Sequence, residues 1–534
     1  MTNNAQLNWW RGGVIYQIYP RSYCDSNGDG IGDLQGIINK LDYIASLNVD
    51  AIWLSPFFTS PMKDFGYDVS DYRDVDPMFG SLDDFRTLTD KAHSLGLKVI
   101  IDQVYSHTSD QHAWFKESRE NKTNAKADWY VWADPKADGT PPNNWLSLFG
   151  GSAWQWDTRR QQYFLHNFLS SQPDLNFHNR EVQDAILDTA RFWLELGVDG
   201  FRLDVVNMYF HDAALTDNAV AATPEQQFVG VDPANPFCRQ YHVHQMCRDD
   251  NLEFLKRLRK VMDEFPGSTT VGEIGAPDGL SFMAQYTEGG NKLHMAYTFE
   301  LLGPDSSPDY LRKTLKRIEA KLGDGWPSFA VSNHDVVRSA TRWTANSSDP
   351  EAKAKAIIAM LMTLRGSPCL YQGEELGLPE ADVPFEDLQD PFGIEFWPEF
   401  KGRDGCRTPM PWTSETTVGF SDSTQTWLPV DPKHVPMAVS AQEPDENSML
   451  NFVRSLLAWR RQHPAIRDGG FEFVDSDPNL LVYRRKNDSE SLIVAVNLSE
   501  STASLPNGLT GEALWPAGQG TELAPYQFGI WSEQ

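Results

Sequence analysis

The chain has 534 residues, a formal net charge of −28 and a pI near 4.8, and 40% of its residues are hydrophobic, enough for a large core. A surface this acidic repels phosphate backbones and anionic lipid headgroups, which argues against nucleic acid and membrane surfaces as partners. The N-terminus carries no basic stretch leading into an apolar one, and no apolar run reaches spanning length, so the expectation is a soluble, cytoplasmic protein.

Taken in chain order, apolar runs bounded by turn residues predict strands at 14–20, 51–57, 98–104, 198–205, 269–274, 293–299, 328–332 and 368–372. After the first strand, Asp25-Ser26-Asn27-Gly28-Asp29-Gly30-Ile31-Gly32-Asp33 alternates oxygen donors with glycines, as in the first half of a loop that wraps a hard cation. The twelfth position is Gly36 rather than Glu and a strand precedes the loop, so it is not an EF-hand. Leu34, Ile37, Ile38, Leu41, Ile44 and Leu47 then recur at helical spacing, and a second helix is expected over 185–196, ending at Gly197. Eight strands with helices between them point to an α/β fold, a (β/α)8 TIM barrel.

The uneven spacing adds detail. About 90 residues separate the third and fourth strands, far more than one βα unit needs, and this stretch is rich in Trp, Asn, Pro and Gly. It reads as an inserted subdomain over the barrel mouth, and long loops at 209–248 and 374–436 fall on the same face. From about residue 469 short alternating strands predict a C-terminal antiparallel β-domain. The division is therefore 1–104 and 176–465 for the barrel, 105–175 for the insertion and 466–534 for the β-domain. The five cysteines (Cys24, Cys238, Cys247, Cys369, Cys406) are scattered and odd in number, as expected of free thiols in a reducing compartment.

Three acids end three of the apolar runs: Asp204 in Gly200-Phe201-Arg202-Leu203-Asp204, Glu273 in Val271-Gly272-Glu273 and Asp335 in Ser332-Asn333-His334-Asp335. Strand C-terminal ends converge on one face of a barrel, so the three are expected in one pocket. Carboxylates gathered around a small space suit cleavage of a glycosidic bond. Arg202, two residues before Asp204, points to the same side of its strand and would keep Asp204 ionised.

These motifs, with Asp102-Gln103-Val104-Tyr105-Ser106-His107 and Gln172-Pro173-Asp174-Leu175-Asn176, resemble those of glycoside hydrolase family 13, the α-amylase superfamily, in its α-glucosidase and oligo-1,6-glucosidase branch. The resemblance implies a retaining, exo-acting α-glucosidase that also transfers glucose to alcohol acceptors. It makes Asp204 the nucleophile, Glu273 the general acid/base with a raised pKa, and Asp335 the transition-state stabiliser. It assigns sugar contacts to His107 and His334 and terminal-glucose binding to the Asp64–Arg403 pair. Tyr67 is expected to stack under the ring, and Gln172, Arg202, Phe149, Phe168 and Phe299 to line or support the pocket. Asp102 is expected to orient the local network and Arg407 to anchor a loop.

The family also implies a structural Ca²⁺, or Mg²⁺, held by Asp25, Asn27, Asp29, the Ile31 carbonyl and Asp33, and no organic cofactor. The partners implied are small α-glucosides and alcohol acceptors, with the chain a monomer or weak homodimer. Linkage cues conflict: Val205 after the nucleophile accompanies α-1,6 preference, whereas the long 209–248 loop and the run at 402–407 resemble α-1,4-acting members, which we favour. Sucrose isomerases carry a basic motif after the sixth strand; here the region reads Glu300-Leu301-Leu302-Gly303-Pro304. Family-like transporter subunits lack parts of the triad and carry a membrane span, unlike this chain.

Overall fold

The computed structural model describes residues 7–533 apart from 224–225, 229–230, 232–233, 507–508, 510–511 and 517–519. Eight parallel strands form its centre: β1 (Ile15–Ile18), β2 (Ala51–Leu54), β3 (Lys98–Gln103), β4 (Gly200–Leu203), β5 (Thr269–Ile274), β6 (Met295–Thr298), β7 (Ser328–Phe329) and β8 (Ser367–Tyr371). They neighbour one another in the order β6-β5-β4-β3-β2-β1-β8-β7, and a parallel bridge between Ala296 and Pro327 closes the ring. All eight expected strands are present, and the fold is the (β/α)8 barrel. Apart from Lys98 and Thr298, every strand residue is buried. Burial on both faces is why the strands read as continuous apolar runs rather than alternating ones.

The alternation is nonetheless functional. Ile15, Trp53, Ile100, Val271, Met295, Tyr297, Ala330 and Cys369 pack together as one apolar cluster inside the barrel, while a larger cluster joins the outer strand faces to the helices. Asp102 follows Ile100 by two residues and Glu273 follows Val271 by two, so each acid continues the inward-facing row at the upper end of its strand.

Helix α1 (Leu34–Ser46) is capped by Asp33, whose Oδ1 accepts from Gly36 N at 2.6 Å. Gly36 is fixed by packing: a Cβ there would stand 1.9 Å from Cys24 O. Helix α2 (Arg180–Glu195) begins five residues earlier than the apolar spacing predicts, because Asn179 caps it by accepting from Glu181 N at 2.9 Å. Its first turn carries one buried apolar residue, Val182, four before Ile186.

Between β3 and β4 lies a three-stranded antiparallel sheet of Trp132–Ala133, Gln162–Leu165 and Trp154–Asp157, tied back by the bridges His107–Asp174 and Tyr130–Leu175. At the C-terminal end, β9 (Gly470–Phe473), β10 (Leu480–Lys486), β11 (Ser491–Asn497), β12 (Ala513–Trp515) and β13 (Phe528–Ser532) form an antiparallel sheet in the order β9-β10-β11-β13-β12. Among the described residues no helix is long and apolar enough to cross a membrane.

Candidate active site

The site is built around one buried arginine. Strand pairing sets Arg202 beside Asp102 on one side and Val271 on the other, and Glu273 beside Tyr297. Arg202 is 1% exposed, and its Nη1 donates to Asp102 Oδ1 and Oδ2 at 2.9 and 3.0 Å and to Asp204 Oδ1 at 2.7 Å. Its Nη2 lies 2.6 Å from Glu273 Oε1. Glu273 is held further by the Tyr297 hydroxyl, which donates to Oε1 at 2.9 Å, and by Val205 N, which donates to Oε2 at 3.1 Å. One guanidinium thus binds three carboxylates.

That imbalance decides the protonation of the cluster. Burial pushes the Asp204 carboxyl well above its ordinary range; Arg202 opposes this, while Glu273, Asp102 and Asp335 add to the push. Burial likewise lifts Asp102 to about 6 against the pull of Arg202. One cation faces three adjacent carboxylates out of water, so Asp102 and Asp204 are harder to ionise than free carboxylates and titrate as a coupled pair.

Asp335 differs. Burial works against its charge, but His334, Arg403 and Arg407 hold it below the usual carboxylate range. Its side chain keeps 23% of its surface, and Arg407 Nη2 and Arg403 Nη1 lie 3.0 and 3.3 Å from Oδ1. Arg407 also donates from Nε to the His334 carbonyl at 2.7 Å, so it anchors the loop and the acid together.

On the cavity wall, Asp64 Oδ1 accepts from Arg403 Nη2 at 2.8 Å and Oδ2 from Gln172 Nε2 at 3.0 Å, with both members of the ion pair buried. Tyr67 donates to Asp102 Oδ2 at 3.1 Å, and its hydroxyl lies 2.5 Å from His334 Nε2, with the two rings stacked at 5.4 Å and 4°. His334 Nδ1 is engaged by Gln17 Nε2 at 2.7 Å. His107 donates from Nε2 to the Tyr67 carbonyl at 3.0 Å, its Nδ1 lies 2.8 Å from Ser106 Oγ, and burial pushes it down to about 4, so the ring is neutral.

These groups line a pocket that is open to solvent and encloses about 700 Å³ of empty space, open solvent included. Asp64, Tyr67, His107, Asp204, Glu273, Asp335, Arg403, Phe149, Phe168 and Phe299 line it, together with Leu148, Val205, Phe228, Val231 and Phe392. Gln172 and Arg202, expected to line or support the pocket, support it, and His334, expected to contact the sugar, does not line it: the three hydrogen-bond Asp64, Asp204 and Tyr67, respectively. Sequence reasoning missed Tyr297, Asp390, Phe228 and Phe392. Tyr297 was findable, since it faces inward beside Glu273. Phe228 lies in an irregular segment, and Asp390 and Phe392 cap and begin a six-residue helix too short to show a periodicity.

The glycine-rich loop makes a ladder of side-chain turns. Asp25 Oδ1 accepts from Asn27 N and Gly28 N at 2.9 and 2.8 Å, and its Oδ2 from Gly30 N and Ser421 Oγ at 2.8 and 2.5 Å. Asn27 Oδ1 accepts from Asp29 N, Asp29 Oδ1 from Ile31 N, and Asp33 Oδ2 from Ser26 N, each at 2.9 Å. The loop therefore holds its shape through its own hydrogen bonds. Among the described residues no group of three or more His, Cys, Asp or Glu could hold a metal ion, so a cation here needs Asn27 and the Ile31 carbonyl as well. That all-oxygen donor set suits Ca²⁺ or Mg²⁺.

The α-amylase catalytic domain family matches residues 17–469. A Rhizobium meliloti (strain 1021) protein named "Probable alpha-glucosidase" is 57% identical over 93% of this chain and 90% of its own length. An oligo-1,6-glucosidase of Heyndrickxia coagulans is 39% identical over 93% of each chain. Among solved structures, an α-glucosyl transfer enzyme, XgtA, superposes with a TM-score of 0.95 at 56% identity, covering 98% of this chain and 99% of that one. The trehalulose synthase MutB of Pseudomonas mesoacidophila MX-45 superposes at 0.88 and 33% identity, covering 98% and 99%. The matched length, the barrel and the acids at its strand ends agree: the chain belongs to the α-amylase family of glycoside hydrolases, in the bacterial branch of the α-glucosidases and oligo-1,6-glucosidases.

Proposed function

We propose that the chain is an exo-acting, retaining α-glucosidase that releases glucose from the non-reducing end of short α-glucosides, maltose-type α-1,4 linkages first, and transfers glucose to alcohol acceptors. The observation that carries this reading is a single cavity holding Asp204, Glu273 and Asp335, with the buried Asp64–Arg403 pair on its wall. In this reading Asp204 attacks C1 while Glu273 gives its proton to the departing oxygen, leaving a glucosyl ester on Asp204. Glu273 then takes the proton of an incoming water or alcohol, whose oxygen displaces Asp204 from C1. Asp335, held ionised, opposes the positive charge that develops between the two steps. The apolar walls from Phe149, Phe168, Phe228 and Phe392 fit acceptors with apolar faces, and the odd number and scattered positions of the cysteines fit a reducing cytoplasm.

The test is hydrolysis of p-nitrophenyl α-glucoside, followed by rates on maltose, isomaltose, nigerose and sucrose. Proton NMR of the first product should show α-glucose; β-glucose appearing first would exclude retention.

The raised carboxylates set a pH expectation. Asp204 must be ionised to attack, and Asp102 sits at about 6 with Asp204 moved the same way, so protonation removes the nucleophile as pH falls. We expect kcat/KM to decline on an acidic limb that lies above the ordinary carboxylate range. Tyr67→Phe removes a hydrogen bond that favours ionised Asp102; a proton kept on Asp102 relieves its push on Asp204, so the acidic limb should move to lower pH. A profile that stays flat down to about pH 4 would contradict this assignment.

We also propose that Asp25, Asn27, Asp29, Asp33 and the Ile31 carbonyl hold a structural Ca²⁺ or Mg²⁺ far from the chemistry. Because the loop's own hydrogen bonds already shape it, chelation is expected to lower Tm without unfolding the chain or changing kcat. A cation at about 100 times its Kd contributes about 2.7 kcal/mol. A Tm indifferent to EDTA and to added Ca²⁺ or Mg²⁺ would sink the proposal.

A further inference from the structure

Residues 390–403 form a loop that contributes Phe392 and Arg403 to the cavity wall, and its ends are joined by one carboxylate. Asp390 is fully buried. Its Oδ1 caps helix α3 (Pro391–Phe396), accepting from Phe392 N at 3.2 Å, and accepts from Arg403 Nη2 at 2.7 Å. Its Oδ2 accepts from Arg403 N at 2.8 Å and Nε at 3.1 Å. The loop closes backbone on backbone, since a Cβ on Gly393 would stand 2.6 Å from Lys401 O. Phe392 lies on the cavity wall, stacked on Phe149 at 4.8 Å and 18°, and the Arg403 guanidinium lies 5.1 Å from the Phe149 ring.

One side chain therefore grips both halves of the site. Arg403 meets three carboxylates, Asp64, Asp390 and Asp335, and Asp390 takes most of its donors. Without that charge the guanidinium would be drawn toward Asp335, and α3 would lose its cap. We propose that Asp390 is a positioning residue for aglycone selection. It fixes Arg403 and Phe392 on the cavity wall as one rigid unit, and so sets the preference for substrates with a ring-sized leaving group over those without one.

This rests on the glucosidase reading, and α-glucosyl fluoride separates the two, because its leaving group is one atom rather than a ring. If the wild type turns over neither the fluoride nor p-nitrophenyl α-glucoside, the glucosidase reading and this inference both fall. With both substrates active, the readout is the ratio of kcat/KM for the aryl glucoside to that for the fluoride. Phe392→Ala is expected to lower that ratio about tenfold, through KM for the aryl glucoside. Asp390→Asn should lower the rate on both substrates and the ratio by a similar factor, and should not lower the ratio further when Phe392 is already Ala. Asp390→Ser, which keeps a capping oxygen but not the charge, carries the same expectation should the Asn variant fail to fold. A ratio unchanged in folded Phe392→Ala, or equal losses on both substrates in the Asp390 variants, overturns the inference.

Discussion

Asp204→Asn is expected to fold and to lose about four or more orders of magnitude in kcat on maltose, because the amide cannot form the glucosyl ester. The substitution is nearly isosteric, and Arg202 Nη1, 2.7 Å from Oδ1, can donate to the amide oxygen as it does to the carboxylate. Stability should hold or rise at neutral pH. Burial already lifts the Asp204 carboxyl far above its ordinary range, so removing its charge relieves an ion that the fold desolvates. Low activity with an unchanged or higher Tm is therefore the signature of chemistry lost in an intact site. A variant retaining a tenth of wild-type kcat would show that Asp204 is not the nucleophile. Glu273→Gln makes the complementary case: it should fail on maltose yet still form the glucosyl ester from an aryl glucoside, whose leaving group needs less protonation.

Much of the architecture was legible in the sequence, for a physical reason. Strands buried on both faces must be apolar throughout, so the run at 98–104 or 269–274 could be recognised without a partner in view. An acid ending such a run is a departure from the pattern, and the barrel turns that departure into a place, the upper rim. Arg202 and Asp204 were linked correctly because side chains two apart on a strand share a face. Contacts made by irregular segments were not legible. Asp390 lies between Gln389 and Pro391, where it reads as a helix cap, and only folding brings it to Arg403. Phe228 and Phe392 belong to long connections after β4 and β8, whose paths no periodicity encodes.

The position of the histidines shows a second limit. His334 stands beside Asp335 in sequence and was expected to meet the sugar directly, yet both its ring nitrogens are engaged inside the protein, by Gln17 and by Tyr67. Adjacency to a catalytic acid in sequence does not say on which side of the backbone a ring lies. The ring instead stacks on Tyr67 and holds it against Asp102, so its effect on the cavity passes through that tyrosine.

Arg403→Ala carries the other large expected effect, and it tests whether the cavity is closed. Asp64 and Arg403 are both buried, and Arg403 also neutralises Asp390 and approaches Asp335. Its loss leaves two buried carboxylates without their cation, which costs far more than an exposed pair would, about 3–5 kcal/mol. Part of that cost appears as instability and part as a weakened hold on the terminal glucose. We expect kcat/KM on maltose to fall by about 2–5 kcal/mol of transition-state binding, with Tm lowered as well. Asp64→Asn should fall in the same direction but by less, since it leaves Arg403 paired with Asp390. On the proposed exo reading the Asp64–Arg403 pair leaves room for one ring beyond the scissile bond, so maltose and short oligosaccharides should far outrun soluble starch in the wild type. Breaking that pair by Arg403→Ala should narrow the gap between maltose and starch while lowering both. Starch cleaved by the wild type as efficiently as maltose, with a fast fall in viscosity and few reducing ends, would mean that chains thread past Arg403 and that the Asp64–Arg403 pair does not seal the cavity.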